Sequence, residues 1–194
     1  MKKTNLINSL AASFILIAAS VCAVHAEDFS SLAAPLGEAP AQMKDFSFLA
    51  GSWTATSKRF LPDGAQTAEY EGKWDAKFLD DGRVLFDAVA WFSPTGEKVL
   101  YDATLRTFGV ETGEWEMVYL SSLTSRHSET FRGKFSDGEG HFDAVISLSP
   151  GNSVTAKIRF FDIAEDSFEW AMELSADGGE NWFVGETITA KRIQ

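Results

Sequence analysis

The ten residues Glu69-Tyr70-Glu71-Gly72-Lys73-Trp74-Asp75-Ala76-Lys77-Phe78 decide the fold. Tyr70, Gly72, Trp74, Ala76 and Phe78 share one parity, while Glu69, Glu71, Lys73, Asp75 and Lys77 share the other. A β-strand turns successive side chains to opposite faces, so this stretch has one dry face and one wet face. A helix would set Trp74 beside Asp75 and leave no continuous apolar stripe.

The same period recurs on both sides of this stretch. It predicts strands at 52–60, 83–93, 98–108, 114–123, 127–135, 140–148, 153–162, 166–175 and 181–192. Turn chemistry separates most of them: Pro62-Asp63-Gly64, Asp80-Asp81-Gly82, Pro94-Thr95-Gly96, Glu111-Thr112-Gly113, Asp137-Gly138, Pro150-Gly151-Asn152 and Asp177-Gly178-Gly179. Gly and Asn supply positive φ in such turns, and Pro fixes φ. Short hairpins force sequence neighbours to pair antiparallel, whereas a parallel crossover needs about a dozen connecting residues or more. Ten strands with two open edges would invite edge-to-edge aggregation, and closure removes both edges. A two-sheet sandwich would need longer Greek-key connections. The expected fold is all-β, a ten-stranded antiparallel up-and-down β-barrel. A barrel of about eight strands already has room for one small ligand, and the diameter grows with strand number.

The first residues read as an address. Lys2 and Lys3 precede an apolar run from Leu10 to Ala19, and Val24-His25-Ala26 offers small residues where a signal peptidase cuts. The expected organisation is a signal peptide over 1–26 cleaved after Ala26, a flexible leader over 27–44 with a short helical turn near Met43 to Leu49, and a barrel domain over 45–194. The expected location is periplasmic or secreted. Cys22 would accept a lipid anchor, but Val21 stands where such sites carry Gly, Ala or Ser. No run approaches the ~20 apolar residues of a membrane-spanning helix.

Cys22 is the sole cysteine, so the processed chain would have no disulfide and no thiolate metal ligand. Processing removes two lysines and no acid, leaving 15 basic against 28 acidic side chains and a net charge of −13. Such a surface repels phosphate backbones and anionic headgroups, so no nucleic-acid partner is expected.

Phe46-Ser47-Phe48-Leu49-Ala50-Gly51-Ser52-Trp53 resembles the opening of a family of bacterial lipocalin-like domains of unknown function, which begin Phe-x-Phe-Leu-x-Gly-x-Trp. Thr104-Leu105-Arg106-Thr107-Phe108 and Thr112-Gly113-Glu114-Trp115 are similar to later parts of that family. The likeness covers residues 45–192 and extends to the calycin superfamily of lipocalins and fatty-acid-binding proteins. It implies a barrel floor in which Gly51 and Trp53 pack under a basic residue from the chain end, Arg192 or Lys191, with a cation–π contact of ~0.5–2 kcal/mol. Haem-binding nitrobindin barrels open similarly, but they follow the Trp with more glycines and ligate haem through a late histidine. No histidine follows His141, and no cofactor is expected.

Candidate chemistry is sparse. His127 with Glu129, and His141 with Asp143, stand two apart on neighbouring strands without an established metal-ligand spacing, so no metal is expected. No Gly-x-Ser-x-Gly elbow or phosphate loop occurs. The aromatic residues say more. Trp74, Phe86, Trp115, Tyr119, Phe131, Trp170 and Trp182 are placed on the inner face, with Arg106, Glu129 and Glu186 interleaved among them. Small-molecule pockets are mostly apolar with a few placed polar groups. Among these, Trp74, Phe86, Arg106, Trp115, Tyr119, Glu129, Trp170, Trp182 and Glu186 are the expected ligand contacts. Arg106 would either anchor a ligand carboxylate or pair with Glu129 or Glu186.

The leading expectation is thus an exported barrel binding a small apolar or amphipathic molecule. Two alternatives stand beside it: a barrel isomerase or hydrolase using His127, Glu129 or Glu186 as acid–base groups, and an acidic interaction protein with a filled interior.

Overall fold

The computed structural model describes residues 37–122, 126–149 and 152–194, so the expected signal peptide and the tip Pro150-Gly151 lie outside the described residues. Ten strands follow one another: β1 (Gly51–Phe60), β2 (Gln66–Leu79), β3 (Val84–Phe92), β4 (Lys98–Gly109), β5 (Glu114–Ser121), β6 (Arg126–Ser136), β7 (Glu139–Ser149), β8 (Asn152–Phe161), β9 (Ser167–Ser175) and β10 (Phe183–Arg192). Each pairs antiparallel with its sequence neighbours, and β10 returns to β1 to close the barrel. Trp53 faces Arg192 across that seam, and Arg59 faces Glu186.

The turns follow the chemistry of their residues. Between β6 and β7 only Asp137 (φ 53) and Gly138 (φ 82) remain, both left-handed, as a two-residue type I′ hairpin requires. The strand around Trp74 runs longer than its alternation, from Gln66 to Leu79. The last strand starts at Phe183 rather than at residue 181, because Gly178 and Gly179 both hold positive φ in the loop before it.

A 3₁₀ helix, Ala41–Leu49, precedes β1 and begins four residues inside the segment expected to be leader. Its Met43, Phe46 and Leu49 are buried in one cluster with Trp53, Trp115, Phe142 and Phe160. The helix and barrel form one compact unit, Ala39–Gln194. Phe46 stands edge-on to Trp115 and to Phe135 at 4.8 Å each, and to Phe160 at 5.4 Å. Edge-to-face pairs of this kind add about 0.5–1.5 kcal/mol each beyond the area they bury. The helix therefore plugs one end of the barrel with an aromatic side chain.

The floor around the plug is tied to both chain ends of the barrel. The Arg192 guanidinium lies 4.1 Å from the Trp53 ring centre. It also donates to the carbonyls of Ala50 (2.8 Å) and Phe48 (2.7 Å) through Nη1 and Nη2, and to Glu165 (2.9 Å) through Nε. Trp53 Nε1 in turn donates to the Leu49 carbonyl at 2.8 Å. Gly51 is required here: its φ is +127°, and a Cβ would sit 2.5 Å from Arg192 Nη1.

Strand β3 is apolar on both faces. Leu85, Asp87, Val89 and Trp91 turn inward, while the outward set Phe86, Ala88 and Ala90 lies beside Leu105, Ala103 and Tyr101 of β4. Among the described residues no helix is long and apolar enough to cross a membrane.

Candidate functional site

The end of the barrel opposite the plug is hollow. A cavity of about 580 Å³ runs from the Asp87–Arg106 level to the loop end, with Trp74, Trp91, Met117, Phe131, Ile158 and Trp170 among its apolar walls. That volume is within the range of about 300–1,000 Å³ for small-molecule pockets. The filled-interior alternative is corrected by it: the lower half is packed solid, and the upper half is not.

Two inner layers repeat one device. In the lower layer Trp74 Nε1 of β2 donates to Asp87 Oδ1 of β3 at 2.9 Å, and the other oxygen of Asp87 is ion-paired with Arg106 of β4. In the layer above, Trp91 Nε1 of β3 donates to Asp102 Oδ2 of β4 at 3.1 Å. Tyr119 and Ser121 on β5 lie beside the same carboxylate. Each tryptophan is thereby tied through its N–H to an acid one strand along. Gly72 makes room for this, since a Cβ there would lie 2.6 Å from the Trp91 ring.

Arg106 is at the cavity floor, 4 % exposed, with its guanidinium 5.1 Å from the Phe46 ring centre and 5.9 Å from that of Phe160. Burial pulls this guanidinium below the ordinary arginine range, while the Asp87 carboxylate against it favours the charged form. Its partner is neither Glu129 nor Glu186, as the alternation led one to expect, but Asp87. Removing one member of a buried pair typically costs about 3–5 kcal/mol, so drawing Arg106 away to a ligand carboxylate is disfavoured.

Nearer the mouth the acids take over. Glu186 accepts from Ser57 Oγ at 2.6 Å and lies 3.5 Å from Arg59 Nε. Glu129 lines the cavity at 7 % exposure and has no ionic partner among the described residues. Burial raises the Asp102 carboxyl above the usual carboxylate range, against the hydrogen bonds of Tyr119, Ser121 and Trp91, and Glu186 adds to the rise. Tyr119 is raised as well, by burial first and then by the neighbouring Asp102 charge.

Six of the nine expected contacts meet in this cavity: Trp74, Arg106, Tyr119, Glu129, Trp170 and Glu186. Trp115 turns inward but is wholly buried in the floor beneath, where Nε1 donates to Asp45 Oδ2 at 3.4 Å. Phe86 is on the outer wall between Lys77 and Leu105, because the inward parity of β3 belongs to Leu85 and Asp87. Trp182 precedes β10, donates to the Gly179 carbonyl at 3.0 Å and stacks under Lys157 at 4.1 Å outside the cavity. Phe131 lines the wall as expected.

The acids Asp87 and Asp102 escaped the sequence reading, although one signal for them was present. With Arg106 inward, Asp102 four residues earlier must share its face. The side chain of His127 lies outside the described residues, and His141 is on the outer surface, 3.4 Å from Glu139.

No protein-family model matches the chain, and no curated protein matches it in sequence. Solved structures do resemble it in fold. Rv2717c from M. tuberculosis superposes with a TM-score of 0.59 at 15% identity, over 81% of this chain and 100% of that one. The S-type phycobiliprotein lyase CPES from Guillardia theta superposes with a TM-score of 0.51 at 14% identity, over 77% and 90%. At such identities the likeness concerns architecture. By fold, this chain is a closed ten-stranded antiparallel up-and-down barrel, an architecture it shares with those structures.

Proposed function

We propose that this protein is an exported container that holds a small apolar or amphipathic molecule in the upper half of its barrel. The single observation that carries the reading is the cavity of about 580 Å³, walled by Trp74, Trp91, Phe131 and Trp170 and opposed to a floor that is packed solid. Trp74, Tyr119, Glu129, Trp170 and Glu186 are the proposed ligand contacts, with Trp91 and Asp102 added to them. Arg106 is left out of that set because Asp87 already neutralises it.

Export rests on the Lys2-Lys3, Leu10–Ala19 and Val24-His25-Ala26 pattern, with cleavage after Ala26. The proposed mature chain comprises a leader to residue 44 and the barrel domain from residue 45, with its Gly51–Trp53–Arg192 floor. Intact-mass measurement of the protein recovered from a cell-envelope fraction tests export: the expected chain begins at Glu27, and an uncleaved chain in the cytosol contradicts it. Native mass spectrometry of the purified protein tests the container. A reproducible adduct released on denaturation supports it, and an adduct that persists when the cavity is filled by Thr104→Phe argues against it.

A further inference from the structure

Among the described residues, the charges that line the cavity do not balance. Two cations, Arg59 and Arg106, face four acids, Asp87, Asp102, Glu129 and Glu186. Arg106 is taken by Asp87 and Arg59 by Glu186, so Asp102 and Glu129 are left without a cationic partner among the described residues. Both are more than nine-tenths buried, and both line the cavity. A buried carboxylate without a counter-charge is costly, and a bound cation relieves that cost. The walls around these acids are aromatic: Trp91 and Tyr119 beside Asp102, Tyr119 opposite Glu129 in the β5–β6 register, and Trp170 across the lumen. Aromatic faces attract ammonium groups as well as apolar bodies. A carboxylate guest would meet the opposite situation, with both cations already engaged and two uncompensated acids in its path.

We propose that the cavity selects an amphipathic cation, a small apolar body bearing a protonated amine, with Glu129 and Asp102 as its counter-ions. The proposal rests on the container reading and names its ligand class. The amine lies toward the mouth between the two acids, and the apolar body reaches down along Trp74, Phe131 and Ile158 to the Arg106–Asp87 pair.

The test uses the full chain and three guests sharing one body: 2-(1-naphthyl)ethylamine, 1-naphthylacetate and 2-(1-naphthyl)ethanol, each titrated by calorimetry. The expected result is amine binding at least tenfold tighter than either of the others. Because the whole protein is acidic, a general attraction for cations must be separated from the site. Glu129→Gln and Asp102→Asn keep shape and remove one charge each, and each is expected to erase most of the amine preference while the alcohol still binds. Equal or tighter binding of the acid or alcohol to the wild type overturns the proposal and leaves the container reading intact. An amine preference that survives in the Glu129→Gln, Asp102→Asn double variant overturns it too, by assigning the effect to the surface. Absence of binding by all three guests overturns both the proposal and the container.

Discussion

From Phe46 to the Arg106–Asp87 pair the barrel interior is filled with rings packed edge to face, while above that pair a space of about 580 Å³ remains between rings held apart. Both halves draw on tryptophan and phenylalanine, so composition does not separate them. The difference is in what each ring touches. In the floor, Phe46 contacts other rings on several sides, and Trp53 is sandwiched between Arg192 and Phe168. Around the cavity, Trp74 and Trp91 give their N–H groups to the buried acids Asp87 and Asp102, and Trp74 also meets Phe168 edge-on at 5.4 Å. What separates the halves is the plug: Phe46 brings rings together in the floor, and none of the described side chains does the same above the Arg106–Asp87 pair.

Substitutions in the two halves break or sharpen this contrast. The largest effect is expected for Phe46→Ala, which removes the plug and should cost about 3–5 kcal/mol in urea unfolding. Trp170→Ala, at the cavity wall and partly exposed, should cost less than half as much while weakening guest binding. Similar losses for the two would erase the distinction between floor and container.

The ion pair at the boundary comes next. Asp87→Ala leaves Arg106 buried and charged without a partner, and about 3 kcal/mol or more of stability should be lost. Replacing both residues with apolar ones of similar size, Asp87→Leu with Arg106→Met, should recover most of that loss in the same unfolding assay. If the double variant is no more stable than Asp87→Ala, the pair has a structural role beyond mutual compensation.

The smallest effect has the opposite sign. Asp102 has a folded-state pKa above the unfolded value near 3.8, so folding favours its protonated form. Its contribution to stability is therefore full below that unfolded value and declines as pH rises through the folded one. Asp102→Asn removes the decline, so the variant should match the wild type in strong acid and exceed it at neutral pH. Unfolding curves at a series of pH values check this. A variant less stable than the wild type at neutral pH would mean that the charged Asp102 is a net stabiliser of the barrel.

Much of this architecture was legible in the residues, and the exceptions have physical causes. The alternation in β2 is strict because one face is wet, so Trp74 reads inward without ambiguity. Strand β3 carries Phe86, Ala88 and Ala90 outward against the apolar face of β4, so both parities look dry and Phe86 is easily assigned to the wrong one. Trp182 follows two positive-φ glycines, and its place depends on where the loop hands over to β10. The floor of Gly51 and Trp53 under Arg192 or Lys191 was implied by the family resemblance of the Phe46–Trp53 opening, and the β1–β10 seam sets Trp53 opposite Arg192. The plug was not legible, since a nine-residue 3₁₀ helix with three buried side chains leaves no strong period. Asp87 as the partner of Arg106 required the register, which period-two parity alone does not supply.

The most direct test is fluorescence titration with the neutral apolar probe N-phenyl-1-naphthylamine. A hollow upper half predicts one saturable site per chain, lost in Thr104→Phe, which fills the lumen, and kept in Trp53→Phe, which alters only the floor. No saturable binding, or binding unchanged by Thr104→Phe, would contradict the account.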